Sequence, residues 1–224
     1  MRNIRLGYGS EYQLLRFLGY HRNELDDRIQ EVTGSNEPIR WLDYPRKEGT
    51  SYQDREYKNV EVFRDEPNYQ AIQKAWKRVW PSRGNSQNWD GVFKQGDIWY
   101  IVEAKANNKE VYQTCKAKPH GGYSQILRAF VETCNGNTEL AQRWIDSNCY
   151  QLANRMAFIH FCQTHNIEVR LCLICFIYGY NNDNRIEVES MDQWIRIWNE
   201  EYDTLSLTDE QKNCIKQVFI NCKN

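Results

Sequence analysis

Apolar positions recur along most of this chain with one of two periods, and the changes of period mark its elements. Leu14, Leu15 and Leu18 share a helical face after Ser10, which predicts a helix from Ser10 through Leu18 closed by Gly19. A second helix is predicted from Glu24 to Val32, capped by Asn23 and stopped by Gly34. Ile72, Ala75, Trp76 and Val79 give a third, from Asn68 through Val79, ended by Trp80-Pro81. Ile126, Leu127, Phe130 and Val131 predict a helix over 124–134. Another begins at Asn137 or Thr138 and runs to about His165 with a break at Ser147-Asn148. Capping-box sequences at Ser190 and Thr208 open two terminal helices, the first with Trp194, Ile195, Ile197 and Trp198, the second with Ile215, Val218, Phe219 and Ile220.

The period shortens to two from Trp89 to Ala106, WDGVFKQGDIWYIVEAKA, which reads as a β-hairpin turning at Gln95-Gly96. Lys94 is then expected to pair with Asp97, and Asp90 to stand opposite Ile101. Glu103 and Lys105 follow on the same face as Asp90. Asp90 and Glu103 become diagonal neighbours with Cα atoms roughly 7 to 8 Å apart. Val92, Trp99 and Ile101 share that face and apolar residues fill the other, so the hairpin is expected to be buried on both sides. Buried carboxylates need a partner or a metal. Val169 to Tyr178 is the most apolar strand; residues 35–67 look irregular, with a short strand at Val60 to Phe63, and no clear first core strand precedes the hairpin.

Two carboxylates and a lysine on one strand face suit a hard divalent cation, Mg²⁺ or Mn²⁺, which keeps several waters and uses one or two protein carboxylates plus substrate phosphate. Asp90, then Glu103-Ala104-Lys105 thirteen residues later, resembles the metal-binding signature of the PD-(D/E)xK nuclease superfamily, with Asn88-Trp89 where the name puts a proline. The resemblance covers roughly 69–178. It implies an α/β, restriction endonuclease-like three-layer core with a mixed central sheet flanked by helices. The expected layout is a single domain over 1–224, with its core at about 68–178, an N-terminal helical segment at 8–34 and C-terminal helices at 190–222. It implies Asp90 and Glu103 as metal ligands, the Ala104 carbonyl as a further ligand and Lys105 as the catalytic lysine. It also implies an acidic residue on the first helices, for which Glu11, Glu24 and Glu31 stand equal, and a glutamine-bearing helix near the metal. Gln151, Asn154 and Arg155 lie at i, i+3 and i+4 and fit that helix; satisfying polar groups at the sheet end explains them equally.

The net charge is −1, so attraction to nucleic acid has to come from local clusters. Lys74, Lys77 and Arg78, with Arg83 after them, form one beside the Asp90 strand; Lys116, Lys118 and His120 form another, and a solvated surface explains both as well. Glu110 is a candidate outer group just beyond the sheet. No apolar run of roughly 18 residues and no hydrophobic opening segment occur, which predicts a soluble, cytoplasmic chain without membrane contact. The eight cysteines then read as reduced thiols, and Cys172 and Cys175, three apart on a strand, should face opposite ways. The terminal helices offer a cover for the sheet edge or a homodimer contact. The expected function is metal-dependent hydrolysis of a phosphodiester in DNA; the alternative is a catalytically silent nucleic-acid-binding or protein-interaction module on the same fold. No P-loop, GxSxG, HExxH or GxGxxG points to other chemistry.

Overall fold

A computed structural model of the chain describes residues 9–49, 53–82, 84, 86–118, 121–179 and 187–223. Arg83 and His120 lie outside them. In chain order come α1 (Ser10–Tyr20), α2 (Arg22–Thr33), β1 (Ile39–Trp41), β2 (Tyr57–Lys58), a 3₁₀ helix (Asn59–Phe63), α3 (Tyr69–Val79), β3 (Asn88–Trp89), β4 (Gly91–Gln95) and β5 (Ile98–Lys105). A second 3₁₀ helix (Asn108–Glu110) leads to α4 (Tyr123–Thr133), α5 (Thr138–Asp146), α6 (Tyr150–Thr164), β6 (Val169–Ile177), α7 (Met191–Thr204), α8 (Asp209–Asn213) and β7 (Ile215–Asn221). None of the described helices is long and apolar enough to cross a membrane.

Five strands form a mixed sheet in the order β1-β4-β5-β6-β7; β2 and β3 form a separate pair. The β1–β4 and β4–β5 pairs are antiparallel, the β5–β6 and β6–β7 pairs parallel. On one face Phe93, Tyr100, Val102, Ile174 and Phe176 bury Leu14 and Phe17 of α1 and Leu25 and Ile29 of α2. On the other, Ile101, Leu171 and Leu173 pack with Trp76 of α3, Phe130 of α4, Phe158 of α6, and Trp194 and Trp198 of α7. The architecture is therefore α/β in three layers. Cys172 belongs to the first apolar cluster and Cys175 to the second, on opposite faces as the strand period requires.

Several elements differ from the sequence expectation, each for a local reason. The N-terminal helices are one of the three layers rather than an addition to a core beginning near 68. The sheet starts at Ile39 within the stretch read as irregular, because a three-residue strand acquires its identity only by pairing with β4. Val60 to Phe63 is a 3₁₀ helix, since Asn59 at φ 50° turns the chain out of β2. The second terminal helix stops at Asn213 and the segment after it is β7. Ile215, Val218 and Phe219 satisfy a helical period, but Val218 and Ile220 also alternate with Gln217 and Phe219, and parallel pairing to β6 decides for the strand. The terminal segment thus forms an edge of the sheet instead of covering one.

The hairpin turns at Gly96-Asp97, with Gln95 opposite Ile98, one residue later than expected. Gly96 takes φ 57° at the first loop position, where this kind of two-residue turn needs a glycine. The Gln95 side chain donates to the carbonyls of Ser35 and Glu37, both at 3.1 Å, which holds Gln95 in the strand. Moving the turn by one shifts the pairing by two, so every side chain keeps its face. Gly96→Ala is expected to lower stability by about 1 kcal/mol through the positive φ alone. Urea denaturation measures this, and an unchanged midpoint would mean that Gly96 does not hold a positive φ.

Candidate active site

Asp90 sits where β3 gives way to β4. Its N–H donates to the Val102 carbonyl at 3.1 Å, although the residue opposite Val102 in the ladder is Gly91. Two residues therefore face one, a β-bulge, which bends the strand and re-aims a side chain. Asp90 Oδ2 accepts a hydrogen bond from the Ala104 N–H at 2.7 Å, and the Tyr44 hydroxyl donates to the Asp90 carbonyl at 2.5 Å. A strand residue's N–H and C=O point to the same edge, so the Ala104 carbonyl opens on the side of Asp90. Gly91 completes the bulge beneath Trp41: a Cβ there would lie 3.2 Å from the indole ring.

Glu103, Lys105 and Arg155 are 3%, 4% and 5% exposed, so their charges must be satisfied inside the protein. Lys105 Nζ donates to Glu103 Oε1 at 2.5 Å and to Gln151 Oε1 at 2.8 Å, while Gln151 Nε2 donates to the same Glu103 oxygen at 2.6 Å. Arg155 Nε and Nη2 hold Glu103 Oε2 at 2.9 and 2.7 Å. Its Nη2 also donates to the Asn88 carbonyl at 2.9 Å, and its guanidinium lies 4.6 Å from the centre of the Trp89 ring. Gln151 and Arg155 reach the strand because α6 places them one turn apart, as their spacing predicts.

The two carboxyls are driven in opposite directions. Burial alone raises Glu103, but the charges and hydrogen bonds of Lys105 and Arg155 outweigh it and hold the group below its ordinary value. Asp90 is pushed up to about 7, by burial first and by the Glu103 charge second, with Lys105 and the Ala104 N–H opposing. Glu103 is the ionised member of the pair. The shift favours the protonated form of Asp90, chiefly because the group is removed from water.

Asp90 opens into a recess of about 250 Å³ that Glu11, Tyr44, Asp54 and Glu56 also line. Among the three acidic positions considered for the first helices, Glu11 is the one that reaches it; Glu24 and Glu31 are exposed on α2, where Glu31 pairs with Arg28. Burial, and Glu103 after it, raise Glu56 above its ordinary value. Among the described residues, no group of three or more His, Cys, Asp or Glu side chains is placed to hold a metal ion. Glu110 Oε2 accepts from the Ala106 N–H at 2.8 Å, just past the end of β5. Lys74, Arg78, Lys116 and Lys118 are exposed, and none of them lines the recess.

No family model, curated protein or solved structure matches the chain. What can be said of the site therefore rests on its own residues.

Three of those residues were not singled out from the sequence. Tyr44 and Glu56 lie in the aperiodic stretch 35–67 and carried no signal. Glu201 did carry one: with Trp194 and Trp198 it falls at i, i+4 and i+7 on the apolar face of α7, and an acid on such a face is unusual. It is 1% exposed, and its Oε1 has no hydrogen-bond partner among the described residues. Burial pushes its carboxyl up to about 8, against the effects of a Cys149 hydrogen bond and the Lys105 charge. Glu201 lines a cavity of about 10 Å³ together with Glu103, Gln151 and Arg155, about the space of one water.

Proposed function

We propose that the chain is a Mg²⁺- or Mn²⁺-dependent nuclease of the PD-(D/E)xK type that hydrolyses phosphodiester bonds in DNA. The observation that carries this reading is the bulge that turns Asp90 toward the Ala104 backbone, beside a Glu103–Lys105–Gln151 cluster locked by hydrogen bonds. The antiparallel order β1-β4-β5, then helices, then β6 parallel to β5, agrees with the restriction endonuclease-like core that the motif implies.

The donor set fits a hard divalent ion. Asp90 and Glu103 would supply carboxylate oxygens, Glu103 by giving up one of the hydrogen bonds that occupy both of its oxygens, and the Ala104 carbonyl faces the side on which Asp90 stands. Burial first and the Glu103 charge second raise the Asp90 group, and a cation bound there would oppose both. Such an ion, when bound, supplies neutralisation of the phosphate and a more acidic water. The residues do the rest. Arg155 pins one oxygen of Glu103, so the carboxylate presents a fixed geometry. Gln151 orients both Glu103 and Lys105. The Lys105 ammonium, held by Glu103 and Gln151, is the positive charge this reading assigns to stabilising a phosphorane-like transition state, in a site from which most water is excluded.

The test is incubation of circular single- and double-stranded DNA, and of RNA, with Mg²⁺, Mn²⁺ or EDTA. Cleavage is expected with either metal and not with EDTA. Lys105→Ala is expected to lose about a hundredfold or more in rate, the scale of removing one transition-state charge donor, while calorimetry still detects metal binding. One observation favours a silent binding module instead. Both Glu103 oxygens are already saturated by Lys105, Gln151 and Arg155. Nucleic-acid binding without cleavage under every metal condition would select that reading.

A further inference from the structure

The recess that holds Asp90 lies at the sheet edge just past the end of β1, where Tyr44 reaches the Asp90 carbonyl. Two larger grooves adjoin it. One, of about 540 Å³, runs over the α3 side and meets the recess at Arg55, which lines both. Its walls carry Lys58, Lys77 and Tyr69. Lys47 and Glu48 also line it, and the second acid of the wall, Glu61, is taken up by Arg55 through a two-pronged contact at 2.5 and 2.7 Å. Lys58 and Lys77 are exposed and form no ion pair with the described residues. Tyr69 is half-buried with an open flank.

The other groove, of about 570 Å³, runs over the α1 side and shares Leu15, Tyr44 and Asp54 with the recess. Arg22 and Arg40 are balanced there by Asp43 and Asp54, so this groove is near neutral. Its distinctive surface is the half-buried Trp41 ring, packed on Phe93 at 4.8 Å, with the Arg22 guanidinium over it at 5.2 Å and its Nε1 donating to Asp26 at 2.8 Å. A fixed aromatic–guanidinium stack in a neutral groove suits a base, and Lys58 and Lys77, without an ion pair among the described residues in a groove of net positive charge, suit phosphates.

We propose that groove, recess and groove form one track for single-stranded DNA. Its phosphates lie on Lys58 and Lys77, and a base lies against Trp41. The bond presented to Asp90 is therefore internal to the strand. This rests on the nuclease reading and adds strandedness and mode of cutting to it. The geometry disfavours a duplex. The path passes from the α3 side of the sheet to the α1 side around an edge, and double-stranded DNA has a persistence length of about 150 base pairs. The recess, at about 250 Å³, is also below the usual size of a drug-sized ligand pocket. A flexible strand threads such a path, and a stiff rod does not.

The experiment measures binding of the full chain, in EDTA, to a fluorescent single-stranded oligonucleotide and to the duplex of the same sequence. The expected result is at least about tenfold preference for the single strand. The Lys58→Glu/Lys77→Glu variant, at two exposed positions, is expected to bind about tenfold more weakly and to flatten the dependence of affinity on salt, since each lost phosphate contact lowers the log–log slope by about 0.7. Trp41→Phe is expected to weaken binding with the salt slope unchanged. A Mg²⁺-dependent assay on the small diester bis(p-nitrophenyl) phosphate runs in parallel and is expected to be unaffected by the Lys58/Lys77 variant. Equal or tighter duplex binding, or unchanged affinity in the Lys58/Lys77 variant, overturns the track; retained hydrolysis of the small diester then leaves the nuclease reading standing. Single-strand preference that depends on these lysines, with no hydrolysis of either substrate, upholds the track and removes the nuclease reading.

Discussion

Asp90→Asn is expected to abolish metal-dependent cleavage while leaving the chain folded. The Asn side-chain oxygen still accepts the Ala104 N–H now held at 2.7 Å, so the bulge keeps its hydrogen bond and only the charge is lost. Because outer-shell partners alone change metal affinity by about 10- to 100-fold, loss of a direct carboxylate should cost at least that much in calorimetric titration. The same variant has a signature without metal. The wild-type carboxyl, raised to about 7 by burial and by Glu103, holds its proton in the folded chain at pH values where the unfolded chain, near 3.9, has already released it. The stability this adds is complete below about pH 4 and is lost as pH rises through 7. The amide variant lacks that slope. Denaturation of both proteins in EDTA from pH 4 to 8 should show the curves diverging, with the variant relatively more stable at the upper end. Parallel curves would mean that Asp90 is solvated and not part of a charged recess.

Arg155→Met is expected to destabilise the fold by about 3–5 kcal/mol, the usual effect of leaving a buried charge without its partner. Glu103 Oε2 receives its two hydrogen bonds from Arg155, whereas Lys105 and Gln151 serve Oε1. The substitution therefore strips one whole oxygen. Methionine retains much of the apolar stem against Trp89, which separates lost charge from lost packing. Adding Glu103→Gln removes the orphaned charge, so the double variant should be more stable than Arg155→Met alone. Urea denaturation of the two single variants and the double variant closes the cycle. A cost below about 1 kcal/mol for Arg155→Met, the range of exposed pairs, would show that solvent reaches Glu103.

Both expectations depend on features of different legibility. The alternation from Val92 to Lys105 was enough to place Glu103 and Lys105 on one face of a buried hairpin, and the i, i+4 spacing of Gln151 and Arg155 put them on one side of α6. Neither inference required knowing the pairing register, because a shift of two residues preserves side-chain parity. Asp90 is different. Continued regularly, the observed register would set it directly opposite Glu103 on the same face; the bulge with Gly91 turns it to the Ala104 N–H instead. Nothing in the residue types announces a bulge, since it is a property of two strands aligned together.

The same distinction holds across the molecule. Helices α2, α3, α4 and α6 lie within about two residues of where their apolar positions and stop signals put them, although Asn23 lies inside α2 rather than capping it and none of the four has a side-chain N-cap hydrogen bond. The strands β1 and β7, the layer made by α1 and α2, and the meeting of Glu11, Tyr44 and Glu56 around Asp90 were decided by contacts between segments far apart in the chain. Local patterns state which face of an element is apolar. Which other element covers that face, and which polar groups are thereby enclosed with Asp90 and Glu103, is settled only when burial and hydrogen bonding are satisfied for the whole chain at once.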